Sequence, residues 1–439
     1  MDYSPKSKKI LGKASIGDRV VVHTDGKKYE GLLMPKYSEN PDTVTLKLDS
    51  GYTIGLKPDR ITVVEKSGRG KPRSSVKRSH DSSKPTITIL HTGGTIASKI
   101  DYKTGAAYPA ISPEELSDAV PELREIANYN AKVVFQMYSG DMEPDHWKIL
   151  AEKVYDEARN GVDGIIILHG TDTMAYSAAA IAFMVQKLPI PVLFVGSQRS
   201  SDRGSADGPM NITCASKFIV KSDFSGVAIC MHGTSSDDYC LINPAVNVKK
   251  MHTSRRDTFR PIDVKPYAKV WQDGKIEMLR NDYIAKDMKK EPVLRNGIER
   301  KVAIIKIRPG ITHKELEFYK DYRGIIIEGT GLGNAPVTVL DKYTSHHAKL
   351  LDTMKKLSKK GVKMFMVSQC PYGKVNMNVY AYGRMVQDAG IVPLSMTSEA
   401  AYTKLIWALG NFPKQVEKIM LENFCGEIIE NIKADTFLI

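Results

Sequence analysis

Two turns in this chain place threonines where acyl-transfer chemistry could be done. Thr92-Gly93-Gly94-Thr95 follows the apolar run Ile87–Leu90, and Gly170-Thr171-Asp172-Thr173 follows Ile165–Leu168. In an open parallel sheet, ligands gather beyond the carboxyl ends of the strands, where backbone N–H groups are free. Gly93 and Gly94 permit a backbone that a Cβ would forbid and let a substrate come close to the main chain. A threonine hydroxyl is a weak nucleophile at neutral pH, so Thr95 as acyl acceptor needs a base nearby and donors for the oxyanion. Asp172 beside Thr171, with a lysine from elsewhere, would form a Thr-Lys-Asp relay. That lysine must be neutral part of the time, which burial favours and the carboxylate opposes. Either turn alone reads equally well as a hydroxyl-capped strand-to-helix turn; the pair is more specific.

The chain resembles the L-asparaginase family from roughly Lys84 onward. The matching residues are His91-Thr92-Gly93-Gly94-Thr95-Ile96-Ala97, Ser139-Gly140-Asp141-Met142, His169-Gly170-Thr171-Asp172-Thr173-Met174, Ala206-Asp207-Gly208-Pro209-Met210-Asn211 and Lys249-Lys250-Met251-His252-Thr253-Ser254. The resemblance implies that Thr95 carries the acyl group and that Thr171 and Asp172 work with Lys250, Lys249 being the neighbouring alternative. It also implies that Ser139, Asp141 and Asp172 hold the amino acid's α-carboxylate and α-amino groups, with Gly94 and Gly170 lining the substrate. Many free-standing asparaginases have Gln or Ser where Gly140 stands, so asparagine is not the assumed substrate.

The segment Lys250–Pro261, with its Arg255-Arg256 pair, and an N-terminal extension of 84 residues resemble one branch of that family, the GatD components of archaeal glutamyl-tRNA(Gln) amidotransferases. This implies a glutaminase with a threonine nucleophile inside a ligase complex of protein biosynthesis. Ammonia would pass to a partner, GatE, which uses ATP and Mg²⁺ to convert Glu-tRNA(Gln) to Gln-tRNA(Gln). A homodimer of this chain within a heterotetramer is implied too. A free-standing asparaginase/glutaminase with an accessory barrel is the alternative, and a non-catalytic tRNA scaffold the third reading. No G-x-x-x-x-G-K-[ST] loop occurs, so ATP use is expected in the partner and no cofactor in this chain.

At 439 residues the chain exceeds what one core usually serves. Short β segments at Arg19–His23, Tyr29–Leu33, Val44–Leu48, Thr53–Leu56 and Ile61–Val64, with turns at Asp25-Gly26 and Asp49-Ser50-Gly51, predict an SH3-like β-barrel over residues 1–66. A basic linker follows over 67–84. Strand-helix alternation then predicts an asparaginase-like, doubly wound parallel-sheet α/β domain over 85–290, with strands at Ile87–Leu90, Val133–Met137, Gly164–Leu168, Pro191–Val195 and Gly226–Cys230. Ser112-Pro113-Glu114-Glu115 reads as a helix cap, and Pro144–Arg159 as a helix. Residues 286–299 connect to a smaller α/β domain over 300–439.

Residues 1–84 hold 18 Lys/Arg and 10 Asp/Glu, so +8 of the chain's +13 lies there, which suggests an acidic partner such as RNA or else a solvated surface. The five cysteines lack paired spacing and read as buried thiols in a reducing cytoplasm, without disulfide or zinc. His91, His169 and His232 follow strands without metal-site spacing; no metal is expected. Gly329-Thr330-Gly331-Leu332-Gly333 reads as a tight turn rather than a dinucleotide loop. No apolar run spans a membrane and no leader is evident, so a cytoplasmic protein is expected.

Overall fold

The computed structural model describes residues 4–34, 40–48, 53–66, 81–94, 98–100, 107–109, 120, 122–199 and 206–437. Thr95, the 112–115 cap, the 49–51 turn and most of the 67–84 linker lie outside the described residues.

The N-terminal strands form one antiparallel sheet in the order Thr53–Leu56, Val44–Leu48, Lys27–Met34, Arg19–Thr24, Arg60–Glu65. Alternation along Arg19–Thr24 buries Val20 and Val22 against Leu33, Val44 and Leu46. Asp25 and Gly26, at φ 49° and 73°, make the tight hairpin turn that links the first two strands. A helix, Pro5–Leu11, precedes the sheet and is not legible from periodicity, because its lysines leave no apolar stripe. Its signals are local: the Ser4 hydroxyl accepts from Ser7 N at 3.2 Å, and Pro5 opens the helix.

The large sheet runs Ile276–Met278, Ala268–Val270, Cys240–Pro244, Phe224–His232, Pro191–Val195, Gly164–Leu168, Thr86–Gly93, Asn128–Met137. Pairings from Phe224–His232 to Asn128–Met137 are parallel. The three strands on the other flank are antiparallel, so the sheet is mixed where an all-parallel one was expected. Every residue of Gly164–Leu168 is buried. Ile165 and Ile167 face a core built with the helices Pro144–Arg159 and Met174–Met184, while Ile166 and Leu168 face one built with Gly208–Lys221. Covering both faces is why these strands are apolar without alternation.

The smaller sheet is parallel, in the order Val302–Lys306, Gly324–Gly329, Lys363–Ser368, Ile391–Pro393. Its helix Ser398–Asn411 packs on Met174–Met184, and the rings of Phe183 and Trp407 stack at 5.8 Å inside one shared core. The connection is not a plain linker either: Val293–Leu294 pairs with Val185–Gln186. The glycine-rich segment closes as a turn, with Thr330 N donating to Asn334 O at 3.0 Å and Asn334 N to Thr330 O at 2.9 Å. All five cysteines are free; Cys214, Cys230 and Cys240 are buried. Cys370 is exposed, against the expectation of buried thiols, because it lies in the turn after Lys363–Ser368. Among the described residues no helix is long and apolar enough to cross a membrane.

Candidate active site

Three adjacent strands, Asn128–Met137, Thr86–Gly93 and Gly164–Leu168, end side by side, and the turns that leave them converge. The Thr92 hydroxyl donates to Leu168 O at 2.9 Å. Gly94 has φ 85°, and a Cβ there would stand 2.4 Å from Gly170 N, so the two threonine turns touch backbone to backbone. A Cβ at Gly170 would lie 2.7 Å from Ser139 Oγ, which brings in the third turn. Ser139 Oγ accepts from Asp172 N at 3.3 Å, and its carbonyl accepts from the Thr173 hydroxyl at 2.7 Å. Asp141 ends this turn in solvent. A Cβ at Gly140 would meet nothing within 4 Å, so packing does not require glycine there.

Lys250 arrives from another direction, on a two-stranded ribbon of Val248–Lys250 paired with Phe259–Pro261. Its Nζ donates to Thr171 Oγ1 at 2.8 Å and to Asp172 Oδ1 at 2.7 Å. The lysine side chain is 16% exposed and the aspartate 75%, so the cluster has a dry side and a wet one. Successive strand residues point to opposite faces, and Lys249 pairs instead with Glu399 at the start of Ser398–Asn411. The structure thus brings together Gly94, Ser139, Gly170, Thr171, Asp172 and Lys250, and leaves Lys249 outside.

The histidines hold turns. His169 is fully buried and its Nδ1 donates to Gly170 O at 2.6 Å; burial pulls its pKa down to about 4. Burial also lowers His91, whose Nδ1 accepts from Gly93 N at 3.1 Å. Among the described residues no group of three or more His, Cys, Asp or Glu could hold a metal ion.

Sequence reasoning missed Tyr176 and Glu399. Burial, then the charges of Glu399 and Glu328, push the Tyr176 phenol far up, so it stays protonated. Glu399 carried one signal, the Thr397 cap that accepts from Ala400 N at 3.2 Å; nothing local ties it to a lysine 150 positions away. The arginine cluster is committed within the chain. Arg255 grips Asp257 through Nε at 2.9 Å and Nη2 at 2.8 Å, Arg260 joins the same carboxylate, and Arg256 Nη1 reaches Asp237 Oδ1 at 2.6 Å. Burial works to raise the Asp257 carboxyl, but the Arg255 hydrogen bonds and the Arg260 charge hold it below the usual range.

Residues 86–283 match the asparaginase N-terminal family, 301–420 the glutaminase/asparaginase C-terminal domain and 14–66 the GatD N-terminal domain. The chain is 47% identical to the glutamyl-tRNA(Gln) amidotransferase D subunit of Pyrococcus furiosus, covering 97% of each chain. It is 41% identical to the D subunit of Methanothermobacter thermautotrophicus over the whole of both. The chain belongs to the GatD family. Among solved structures, the thermostable L-asparaginase from Thermococcus kodakarensis superposes with a TM-score of 0.69 at 28% identity, covering 79% of this chain and 100% of that one. L-asparaginase I from Vibrio cholerae gives 0.67 at 26%, covering 79% and 99%. The small β domain is the part that the GatD N-terminal match marks, and the asparaginase family matches begin only after it, at residue 86.

Proposed function

We propose that this chain is the amide-hydrolysing component of a glutamyl-tRNA(Gln) amidotransferase, with glutamine as its substrate. The observation that carries the proposal is Lys250, bonded at once to Thr171 Oγ1 and Asp172 Oδ1 beside the turn that leads into Thr95. The Thr95 hydroxyl attacks the carboxamide carbon, the C–N bond breaks, and ammonia leaves with the hydroxyl's proton, giving a γ-glutamyl ester. Water then attacks the ester carbon and gives up its proton through Thr171 and Lys250. Glutamate leaves, and the Thr95 hydroxyl is restored. Ser139 and Asp172 hold the substrate's α-carboxylate and α-ammonium, the exposed Asp141 takes no part in the cluster, and the backbone at Gly94 and Gly170 lines the substrate's path.

Ammonia passes to GatE, where ATP and Mg²⁺ activate Glu-tRNA(Gln); this chain needs no cofactor of its own. It works in the cytoplasm and pairs with itself inside a heterotetramer. Similarity along the full length to proteins named as amidotransferase D subunits supports this reading over a free-standing asparaginase. Ammonia release from glutamine and asparagine, measured on the chain alone, with GatE, and with GatE plus tRNA, is the test. Glutamine-dependent release that rises with partner and tRNA is expected. Fast asparagine hydrolysis by the lone chain, indifferent to both, would mean a free-standing asparaginase, and normal turnover by folded Thr95→Val would overturn the mechanism.

A further inference from the structure

The tip of the ribbon that carries Lys250, residues 251–258, is tied down. Arg256, whose side chain is 14% exposed, donates to Asp237 Oδ1 and through Nε and Nη2 to Ser235 O. Arg260 Nη1 donates to Gly233 O at 2.9 Å. Residues 233–238 leave the core strand Phe224–His232, so the tip is anchored to the same sheet edge that delivers the threonine turns.

Beneath this loop lies His232, wholly buried. Its Nδ1 stands 2.6 Å from Asn211 Oδ1 and its Nε2 3.0 Å from Asp237 Oδ1. The Asn211 amide has one sensible orientation: Nδ2 donates to Gly196 O at 3.0 Å and to Asp207 Oδ2 at 3.3 Å, and Oδ1 also takes the Cys240 thiol at 3.3 Å. Both atoms that face the ring are therefore acceptors, and only the doubly protonated imidazole satisfies both. The His232 hydrogen bond, with help from the Arg256 charge, holds the Asp237 carboxyl below the usual range.

We propose that His232, Asp237 and Arg256 form a protonation-dependent latch that positions the Lys250 ribbon against the Thr171 turn. With the ring as imidazolium, Asp237 sits between two cations and anchors Arg256. When the ring loses its Nε2 proton, a lone pair faces the carboxylate, Asp237 is repelled, and the tip is left with only the carbonyl bonds of Arg256 to Ser235 O and of Arg260 to Gly233 O. The charged and titratable groups around the ring are Asp237 and Arg256 on the loop side, Asp207 beyond Asn211, and the thiols of Cys240 and Cys230, which burial pushes up and keeps neutral. The latch is therefore closed while the ring carries both protons and released when it gives one up. These three residues contact no reacting atom; they position Lys250, and the kinetic arm of the test rests on the amide-hydrolysis reading above.

Two structural measurements on the full-length chain are independent of that reading. Nitrogen-15 NMR of labelled histidine reports the protonation state of His232, and hydrogen exchange reports protection of residues 251–258. Protection is expected wherever the ring carries both protons and is expected to fall as the second is lost. Asp237→Asn and Arg256→Gln should exchange fast at every pH. In the assembled complex they should lower kcat about 10- to 100-fold, since small misplacements of a catalytic group are felt strongly, and leave KM little changed. Arg256→Lys should recover part of that loss. A ring neutral throughout the range in which the tip is protected, or protection indifferent to its titration, overturns the proposal, and the wild-type titration decides even if a variant fails to fold. If the wild-type complex released no ammonia, the functional reading would fall while these two measurements still tested the latch.

Discussion

Lys249 and Lys250 are adjacent, chemically identical and differently employed, and the difference comes from the strand that carries them. Alternation turns one toward Glu399 and the other toward Thr171 and Asp172. Arginine keeps its proton at any working pH. Lys250→Arg in the assembled complex should therefore lose amide hydrolysis by about 100-fold or more in kcat while remaining folded, as removal of a proton-transfer group does. Lys249→Met should lose far less; the reverse pattern, measured by ammonia release, would move the catalytic role one residue upstream. His169 makes a second prediction at this scale. Its folded pKa of about 4 lies below the ordinary 6.5, so the unfolded chain binds the proton more readily. The stability from keeping it neutral is complete above the ordinary value and is lost as pH falls toward about 4, on the order of 3 kcal/mol in all. Urea midpoints followed down this range should drop more steeply in the wild type than in His169→Gln; parallel curves would refute the assignment.

The helix Ser398–Asn411 carries more of the architecture than its sequence advertises. Trp407 stacks on Phe183 of the larger unit, Glu399 braces Lys249, and Lys404, wholly buried, meets the equally buried Glu427 at 2.6 Å. The Lys404 ammonium also donates to Met420 O and Glu422 O, so the segment after Val416–Leu421 is clasped by this helix. Removing one partner of a buried pair strands the other's charge, and Glu427→Gln should destabilise by roughly 3–5 kcal/mol. Adding Lys404→Met should recover much of that in a denaturant-midpoint cycle; additive losses would mean the two residues do not act as a pair. Such contacts between distant parts of the chain mark the limit of what is legible in the sequence. The continuous apolar strands Gly164–Leu168 and Pro191–Val195 can be read because burial on both faces leaves a local signature. The short antiparallel strands Cys240–Pro244 and Ala268–Val270 escaped that reading, and the ribbon that delivers Lys250 could be narrowed only to two neighbouring lysines. The threonine turns are legible because glycine is required where Gly94 meets Gly170. The pairing of Arg256 with Asp237 is not, since charge composition reports residues and not their partners.

At the scale of the whole molecule, the commitment of Arg255, Arg256 and Arg260 to internal carboxylates moves attention for phosphate recognition from the ribbon to the N-terminal 84 residues and their +8. The cluster around Lys250 draws on residues from Gly94 to Lys250 and on none of that extension. Recognition and chemistry should therefore separate. Deleting residues 1–84 should leave the hydrolytic cluster intact but weaken binding of the complex to Glu-tRNA(Gln), and the wild-type affinity should fall more steeply with added salt than that of the deletion variant. The reason is counterion release: each phosphate neutralised by a lysine or arginine adds about 0.7 to 0.9 to the slope of log affinity against log salt. Titrating labelled tRNA at several salt concentrations reads the difference in slope directly. Equal slopes with equal affinity would show that the small β domain touches no phosphate, and its basic charge would then have to be explained by contact with another subunit of the complex or with solvent alone.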